Sequence, residues 1–154
     1  MHPGLTKLNI LLDLIGRKRV LLSQILTICE NQELILSAPR SDDNDRLFIG
    51  MGNEKQLLVD QVVAADELFQ KMFDEMGEAF HEIGEANKDV VRKMQEGIMG
   101  VTELDAKIRL AENRNLECIS RARTTVPPKP VNEVSKQQVL QEYKAQATKG
   151  KRKK

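Results

Sequence analysis

The sequence is poor in aromatic residues. Only 3% of its 154 residues are aromatic, with no tryptophan, one tyrosine and four phenylalanines. This content is low for a globule built around one compact core. The residues that dominate instead, among them leucine, valine, alanine, glutamate and lysine, suit long helices and coiled coils. No β-rich run of useful length occurs, so the composition favours an all-α fold.

Cysteine and histidine are scarce too. Cys29 and Cys118 are far apart and lie in apolar helical patterns, and no Cys/His spacing suits zinc. We therefore expect two reduced, buried thiols, as is usual in a cytosolic protein. His81 stands near several glutamates, which is more typical of a surface histidine than of a metal ligand or an acid–base group.

Long apolar runs are missing. No stretch approaches the roughly 18 residues that indicate a membrane-spanning helix. The first residues, MHPGLTKLNI, lack the basic start and the following apolar run of a signal peptide. The sequence therefore predicts a cytoplasmic protein.

Catalytic and cofactor motifs are not found either. The segment GMGN at 50–53 lacks the Lys-Ser/Thr pair of a phosphate loop and the strand that precedes one. The acidic SDDNDR at 41–46 lacks the glycine and the terminal glutamate of a calcium loop. No serine-centred nucleophile elbow occurs. We therefore expect a protein that is not an enzyme and that uses no cofactor, no metal and no small-molecule substrate.

The charge is unevenly distributed along the chain. The net charge is +1, but 124–154 carries eight basic and two acidic residues, which leaves a net charge of −5 on the rest. This distribution of charge affects which partners the protein can bind. An acidic body repels a nucleic-acid duplex, and the lone Tyr143 offers no stacking platform beside the basic tail. We expect no nucleic-acid partner.

Three segments have helical periodicity, and they cover about 5–37, 53–84 and 88–123. The stretch 38–53 resembles a linker because it contains proline, serine, aspartate, asparagine and glycine. We expect 1–123 to form a helical bundle domain. Its predicted architecture is an elongated antiparallel bundle of three long helices, like a coiled-coil hairpin, with a flexible C-terminal arm over 124–154.

The second segment has the most regular pattern. Its apolar positions alternate spacings of four and three residues without a break, and they are Leu58, Val62, Ala65, Phe69, Met72, Met76, Ala79 and Ile83. The phenylalanine- and methionine-rich ELFQKMFDEMGEAF at 67–80 belongs to this segment, so we assign it mainly to the bundle core. Leu68, Phe73 and Phe80 widen the stripe beyond a two-stranded seam, which predicts more than one neighbour.

The third segment has a thinner and more polar stripe. Gly97 and Gly100 lie within it, and small residues weaken packing. This face is therefore the predicted groove for an amphipathic helix of a partner, with methionine as an adaptable lining. The predicted groove residues are Met94, Ile98, Met99, Val101, Leu104 and Ile108. The alternative is that these side chains meet the second helix or a second copy of the protein.

The C-terminal arm begins with a proline-rich break, TTVPPKPVN at 124–132. Its three prolines favour an extended segment. After the break, Val139, Leu140 and Tyr143 lie on one face of a short amphipathic segment. A helix of this length is marginal in water, so we expect the arm to be disordered when unbound and these three side chains to contact a partner.

Three strings define the pattern of 5–123. They are the leucine-rich LLDLIGRKRVLLSQILTICENQELIL, then EKQLLVDQVVAADELFQKMF after the linker, and VTELDAKIRLAENRNLECI late in the third helix. In the last string, Asn113 and Leu116 form an N-x-x-L segment. This organisation resembles that of flagellar export chaperones of the FlgN type and of the related FliT type.

The resemblance implies a small cytoplasmic helical chaperone. Such a protein binds the C-terminal helical segment of a flagellar hook-associated or filament-cap protein, prevents its premature assembly and delivers it to the membrane export gate. The third helix and the arm would take part in this binding. The proline-rich break and the lysine-rich end are not part of the family pattern. The alternative hypothesis is a structural coiled-coil subunit that forms a homodimer or joins a scaffold.

Overall fold

The computed structural model describes residues 3–125, with the side chains of 4–121. The four helices are α1 (Pro3–Ser37), α2 (Asp42–Met76), α3 (Ala79–Ala86) and α4 (Lys88–Thr125). No β-strand occurs within the described residues. The predicted all-α class is confirmed, and the described part of the chain contains four helices instead of three.

Helix α1 matches its predicted range closely. Its buried side chains, among them Leu8, Leu11 and Ile15, recur at helical spacing and give the helix one apolar face. The helix ends at Ser37, because the residue that precedes Pro39 is disfavoured in the α conformation.

Helix α2 begins at Asp42 rather than at Asn53, so the linker predicted over 38–53 is wrong for most of its length. The Ser41 hydroxyl accepts a hydrogen bond of 3.1 Å from the backbone N–H of Asn44, which caps the start of the helix. Three aspartates in the first turn add favourable charge at the positive end of the helix dipole.

Hydrophobic packing stabilises the part of α2 that lies in the predicted linker. Phe48 is buried and packs against Ile119. The partly buried side chains around this pair are Ile35, Leu36 and Ile49. Burial of a phenylalanine contributes about 2–3 kcal/mol, which offsets the cost of about 1 kcal/mol for each of Gly50 and Gly52 within the helix.

Helix α2 ends at Met76, before the predicted end at 84. Gly77 has a φ of 53°, in the left-handed region that favours glycine, and its N–H donates to the Phe73 carbonyl at 3.2 Å. The remainder of the predicted second segment forms the separate helix α3. Asn87 follows α3, and its Nδ2 donates to the Ile83 carbonyl at 2.9 Å. Helix α4 then begins at its predicted position.

The helices form two units. Of the described residues, the first unit combines 3–25 with 58–107, and the second combines 26–57 with 108–125. The buried core of the first unit is Leu8, Leu11, Ile15, Leu21, Leu22, Ile25, Ala65, Met76, Met94 and Val101. The buried core of the second unit is Ile28, Cys29, Phe48, Ile108, Ala111 and Ile119.

In the first unit, α1 and α4 approach each other closely at two glycines. Gly97 faces the buried Ile15 at a distance that leaves no room for an added Cβ atom, and Gly100 faces the guanidinium group of Arg19, an exposed side chain that can move aside. The expectation that these glycines weaken the packing of the third helix is therefore wrong. They let its backbone come close to α1.

In the second unit, a buried polar cluster connects α1, α2 and α4. Lys55 is only 1% exposed, and its Nζ atom lies 2.9 Å from Oε1 of Gln32 and 3.5 Å from Sγ of Cys29. Oε1 of Glu112 lies 3.5 Å from the same nitrogen, so the negative charge of Glu112 partly neutralises the positive charge of Lys55. Asn115 donates from Nδ2 to the Cys29 carbonyl at 3.1 Å. Because all three helices contribute, a shift of any one along its axis breaks buried polar contacts.

Candidate docking furrow

One face of α4 in the first unit lines two open cavities. Val91, Gln95, Ile98 and Val101 recur at spacings of four, three and three residues, which places them along one side of the helix. Val91 and Gln95 line the first cavity, of about 300 Å³, and Ile98 and Val101 line the second, of about 210 Å³. The cavities therefore follow one another along α4, about two turns apart.

Different helices complete the two cavities. The other residues of the first are Phe80, His81, Gly84, Glu85, Lys88 and Arg92, from α3 and the start of α4. The other residues of the second are Leu14, Ile15, Lys18, Ala65, Asp66 and Phe69, from α1 and α2. The lining of each cavity therefore includes a phenylalanine from a helix other than α4.

Contacts between phenylalanine rings lead from Phe69 in the lining of the second cavity to Phe80 in the lining of the first. The ring centroids of Phe69 and Phe73 are 6.3 Å apart, with planes 10° from parallel, and those of Phe73 and Phe80 are 4.9 Å apart with planes at 55°. Phe73, which is 38% exposed, lies between the two others. We define the aromatic furrow as the surface formed by Phe69, Phe73, Phe80, Val91, Gln95, Ile98 and Val101.

The predicted α4 groove residues have different environments. Ile98 and Met99 are exposed, Leu104 is half-buried, and Met94, Val101 and Ile108 are buried. Only Ile98 and Val101 line the furrow, and Ile108 belongs to the core of the second unit. The predicted arm residues Val139, Leu140 and Tyr143 lie outside the described residues.

The heptad pattern predicted that the phenylalanine- and methionine-rich stretch at 67–80 lies mainly in the bundle core. This prediction is wrong. Of the bulky side chains in this stretch, Met76 is buried, Phe69, Met72 and Phe80 are half-buried, and Phe73 is exposed. The stripe on α2 is wider than the surface that α1 and α4 cover. The sequence carried a signal of this, because Phe73 and Phe80 extend the heptad stripe on one side.

The ion pairs of the two cavities differ in exposure. In the second, Nζ of Lys18 lies 2.9 Å from Oδ1 of Asp66, so the charges in its lining are paired. The lining of the first contains Lys88 and Arg92 together with one carboxylate, Glu85. Lys88 pairs with Glu85 at 3.7 Å and Arg92 pairs with Asp89 at 3.5 Å, so the lysine and arginine side chains that line both cavities have carboxylate partners.

Within the described residues, no group of three or more histidine, cysteine, aspartate or glutamate side chains is placed to hold a metal ion. None of the helices in the described range has the length and apolarity needed to cross a membrane.

Comparison of the chain with protein-family models, with curated proteins and with solved structures gives no match.

Proposed function

We propose that this protein is a cytoplasmic export chaperone of the FlgN or FliT type. It binds the helical C-terminal segment of a flagellar hook-associated or filament-cap protein in the aromatic furrow, prevents premature assembly and delivers the bound protein to the membrane export apparatus. The observation that supports this function most strongly is the pair of open cavities along α4, lined by Phe80 and Phe69. Ile98 in the second cavity is 48% exposed, and Phe73, whose ring contacts both of these phenylalanines, is exposed as well.

The dimensions of the furrow suit one amphipathic helix. The α4 residues that line it run from Val91 to Val101, a rise of about 15 Å or close to three helical turns. A helix that presents apolar side chains at i, i+3, i+4 and i+7 covers such a surface and fills its cavities. Aromatic side chains contribute large contact areas at little cost in side-chain entropy, so Phe69, Phe73 and Phe80 suit the role of anchors.

We also propose that the three long helices pack as an antiparallel bundle, with α2 running opposite to α1 and α4. Contacts in the second unit support this direction. Gln32 of α1 donates from Nε2 to the Phe48 carbonyl of α2 at 3.4 Å, whereas Cys29, earlier in α1, contacts Lys55, later in α2. The arm with Val139, Leu140 and Tyr143 remains a predicted contact for the exported protein or for the export gate.

A homodimer or scaffold subunit is the second candidate. The observation that favours it is a set of exposed leucines in the second unit, namely Leu34, Leu47, Leu57 and Leu110. Single exposed leucines are common on soluble proteins, so this observation is weaker than the furrow. Light scattering distinguishes the two, because a dimer that forms without any partner and is disrupted by polar substitution of these leucines supports the second candidate.

The test of the first function uses a fluorescent peptide that covers the helical C-terminal segment of a hook-associated protein. Ile98→Ser removes an exposed apolar contact from the furrow, and we expect it to weaken binding about tenfold. Leu110→Ser is the matched control, since Leu110 is equally apolar, lies on the same helix in the other unit and is 56% exposed. Equal affinity of both variants for the peptide, or no binding to the wild-type protein, would contradict the proposal.

A further inference from the structure

We propose that the second unit contains a site of oxidative modification, at which hydrogen peroxide causes Sγ of Cys29 to bond covalently to Nζ of Lys55. The product is a sulfenamide, with a single bond between sulfur and nitrogen. Because Cys29 lies in α1 and Lys55 in α2, the bond joins the two helices. This Cys29–Lys55 link is independent of the proposed function, since the aromatic furrow belongs to the first unit.

The two reacting atoms are already in contact in the folded chain. Nζ of Lys55 lies 3.5 Å from Sγ of Cys29, and both side chains are fully buried. The buried Gln32 fixes the position of the lysine, since its Oε1 lies 2.9 Å from the same nitrogen. Such proximity gives an intramolecular reaction a high effective concentration. The Lys55 amine is therefore the nucleophile that an oxidised Cys29 meets first.

Glu112 is placed to accept the protons that the reaction releases. The Cys29 thiol donates to its Oε1 at 4.0 Å, and the same oxygen lies 3.5 Å from Nζ of Lys55, so one carboxylate faces both reacting groups. The Glu112 side chain is also 30% exposed, which gives the buried cluster an edge in contact with solvent. A molecule as small as hydrogen peroxide enters at this edge.

The cluster also contains an acceptor without a donor. The buried Asn115 donates from Nδ2 to the Cys29 carbonyl at 3.1 Å, but within the described residues its Oδ1 atom has no hydrogen-bond partner. Buried polar atoms are nearly always hydrogen-bonded, so this oxygen has capacity for one more donor. The hydroxyl group of a sulfenic acid on Cys29, or the water that it later releases, is such a donor.

The first step oxidises the sulfur. The Cys29 sulfur attacks one oxygen of the peroxide and the O–O bond breaks, while the thiol proton passes through Glu112 to the departing hydroxide. The products are a sulfenic acid and water. Sulfur loses two electrons in this step and the peroxide gains them.

The second step is a condensation without further oxidation. The Lys55 ammonium group gives one proton to Glu112, its nitrogen lone pair attacks the sulfur, and the S–O bond breaks. The departing hydroxide takes that proton from Glu112 and leaves as water, and the second ammonium proton is released to solvent. In total, one thiol, one ammonium group and one hydrogen peroxide give one sulfenamide, two waters and one proton.

Burial makes the first step slow. It raises the pKa of the Cys29 thiol, and the positive charge of Lys55 lowers that pKa only in part. The thiolate is the form that attacks peroxide, so only a small fraction of the protein is reactive at neutral pH. The Cys29–Lys55 link therefore forms under sustained exposure to peroxide.

The experiment treats the full-length protein with hydrogen peroxide, digests it with trypsin and analyses the peptides by mass spectrometry. Peptide 20–40 contains Cys29 and peptide 47–71 contains Lys55. We expect the two peptides to be joined, with a mass about 2 Da below their sum because two hydrogens are lost. Dithiothreitol separates them again. The variant Lys55→Met lacks the amine and gives no joined peptides.

Two controls show that the contact causes the reaction. Cys118→Ala removes the other cysteine, which is half-buried, and forms the link as the wild type does. The wild-type chain unfolded in urea and given the same peroxide forms about tenfold less link or none, because the two side chains no longer meet. This second control needs no variant, so it decides the question even if Lys55→Met does not fold.

Absence of joined peptides after peroxide treatment of the folded wild type overturns the Cys29–Lys55 link. An equal yield of joined peptides from the folded and the urea-unfolded chain also overturns it, since the folded geometry would then have no part in the reaction. Neither result affects the proposed function, which is tested by peptide binding in the first unit.

Discussion

A Cβ atom placed on Gly97 would lie 2.6 Å from Cγ2 of Ile15, closer than any packed pair of carbon atoms allows. Ile15 is buried and branched at its Cβ, so its side chain has little freedom to move aside. Gly97 therefore fixes how closely α4 approaches α1 in the first unit.

We predict that Gly97→Ala destabilises the protein by about 1–3 kcal/mol, despite the higher helix propensity of alanine, because it overpacks the contact with Ile15. Gly100→Ala is the matched control. A Cβ there would lie 2.8 Å from Nε of Arg19, but that long, exposed side chain can swing away. Urea unfolding measures both variants, and equal midpoints for the two would show that the close approach is not a constraint.

The buried Lys55 gives a second prediction. Lys55→Ala leaves a cavity and removes the charge that faces Glu112, so we expect a loss of about 3–5 kcal/mol in the free energy of unfolding. Lys55→Met keeps the volume and removes the buried charge, and its stability stays within about 1 kcal/mol of the wild type or exceeds it. Calorimetric melting compares the two. A cost as large for methionine as for alanine would mean that the charge itself stabilises the fold.

A third prediction concerns pH. Burial raises the pKa of the Cys29 thiol above its usual 9.0, and the positive charge of Lys55 opposes this shift only in part. The unfolded chain therefore loses this proton at a lower pH than the folded protein does. The stability that the neutral thiol contributes is complete below about pH 9 and falls as the pH rises above that value.

The measurement is the free energy of unfolding between pH 8 and pH 10.5 for the wild type and for Cys29→Ala. The free energy of unfolding falls more steeply with rising pH in the wild type than in Cys29→Ala, because only the wild type has the contribution of the buried thiol. Parallel pH profiles would show that the thiol is not held neutral by the fold.

The fourth prediction separates binding from stability. Phe73→Ala removes an exposed ring from the middle of the aromatic furrow, so it weakens binding of a helical peptide about tenfold and changes the melting temperature little. Phe48→Ala removes a buried ring in the second unit and costs about 3–5 kcal/mol of stability. Fluorescence polarisation and thermal melts together check the pair. Loss of stability in Phe73→Ala without loss of binding would place that ring in the core.

The sequence predicts the local features of this fold well. Leucine periodicity and Pro39 give the bounds of α1, and the start of α4 lies at its predicted residue. The start of α2 could not be predicted from propensity, because it depends on the cap at Ser41 and on Phe48 packing against Ile119, about seventy residues later.

The contacts that the sequence did not predict are all between distant segments. Lys55 reads as an ordinary surface lysine, and it is buried only because Gln32 of α1 and Glu112 of α4 meet it. The furrow is a similar case. The pattern of α4 correctly selected Ile98 and Val101 as members of one surface, but Phe73 was assigned to the core because a heptad does not show how many neighbours cover it.

The central proposal is that the aromatic furrow of the first unit holds the partner helix. Methyl NMR spectra, recorded as the hook-associated peptide is added, test it most directly. We expect the methyl signals of Ile98, Val101 and Leu14 to shift while those of Ile28 and Ile119 in the second unit stay in place. Shifts confined to the second unit, or unchanged spectra at saturating peptide, would contradict it.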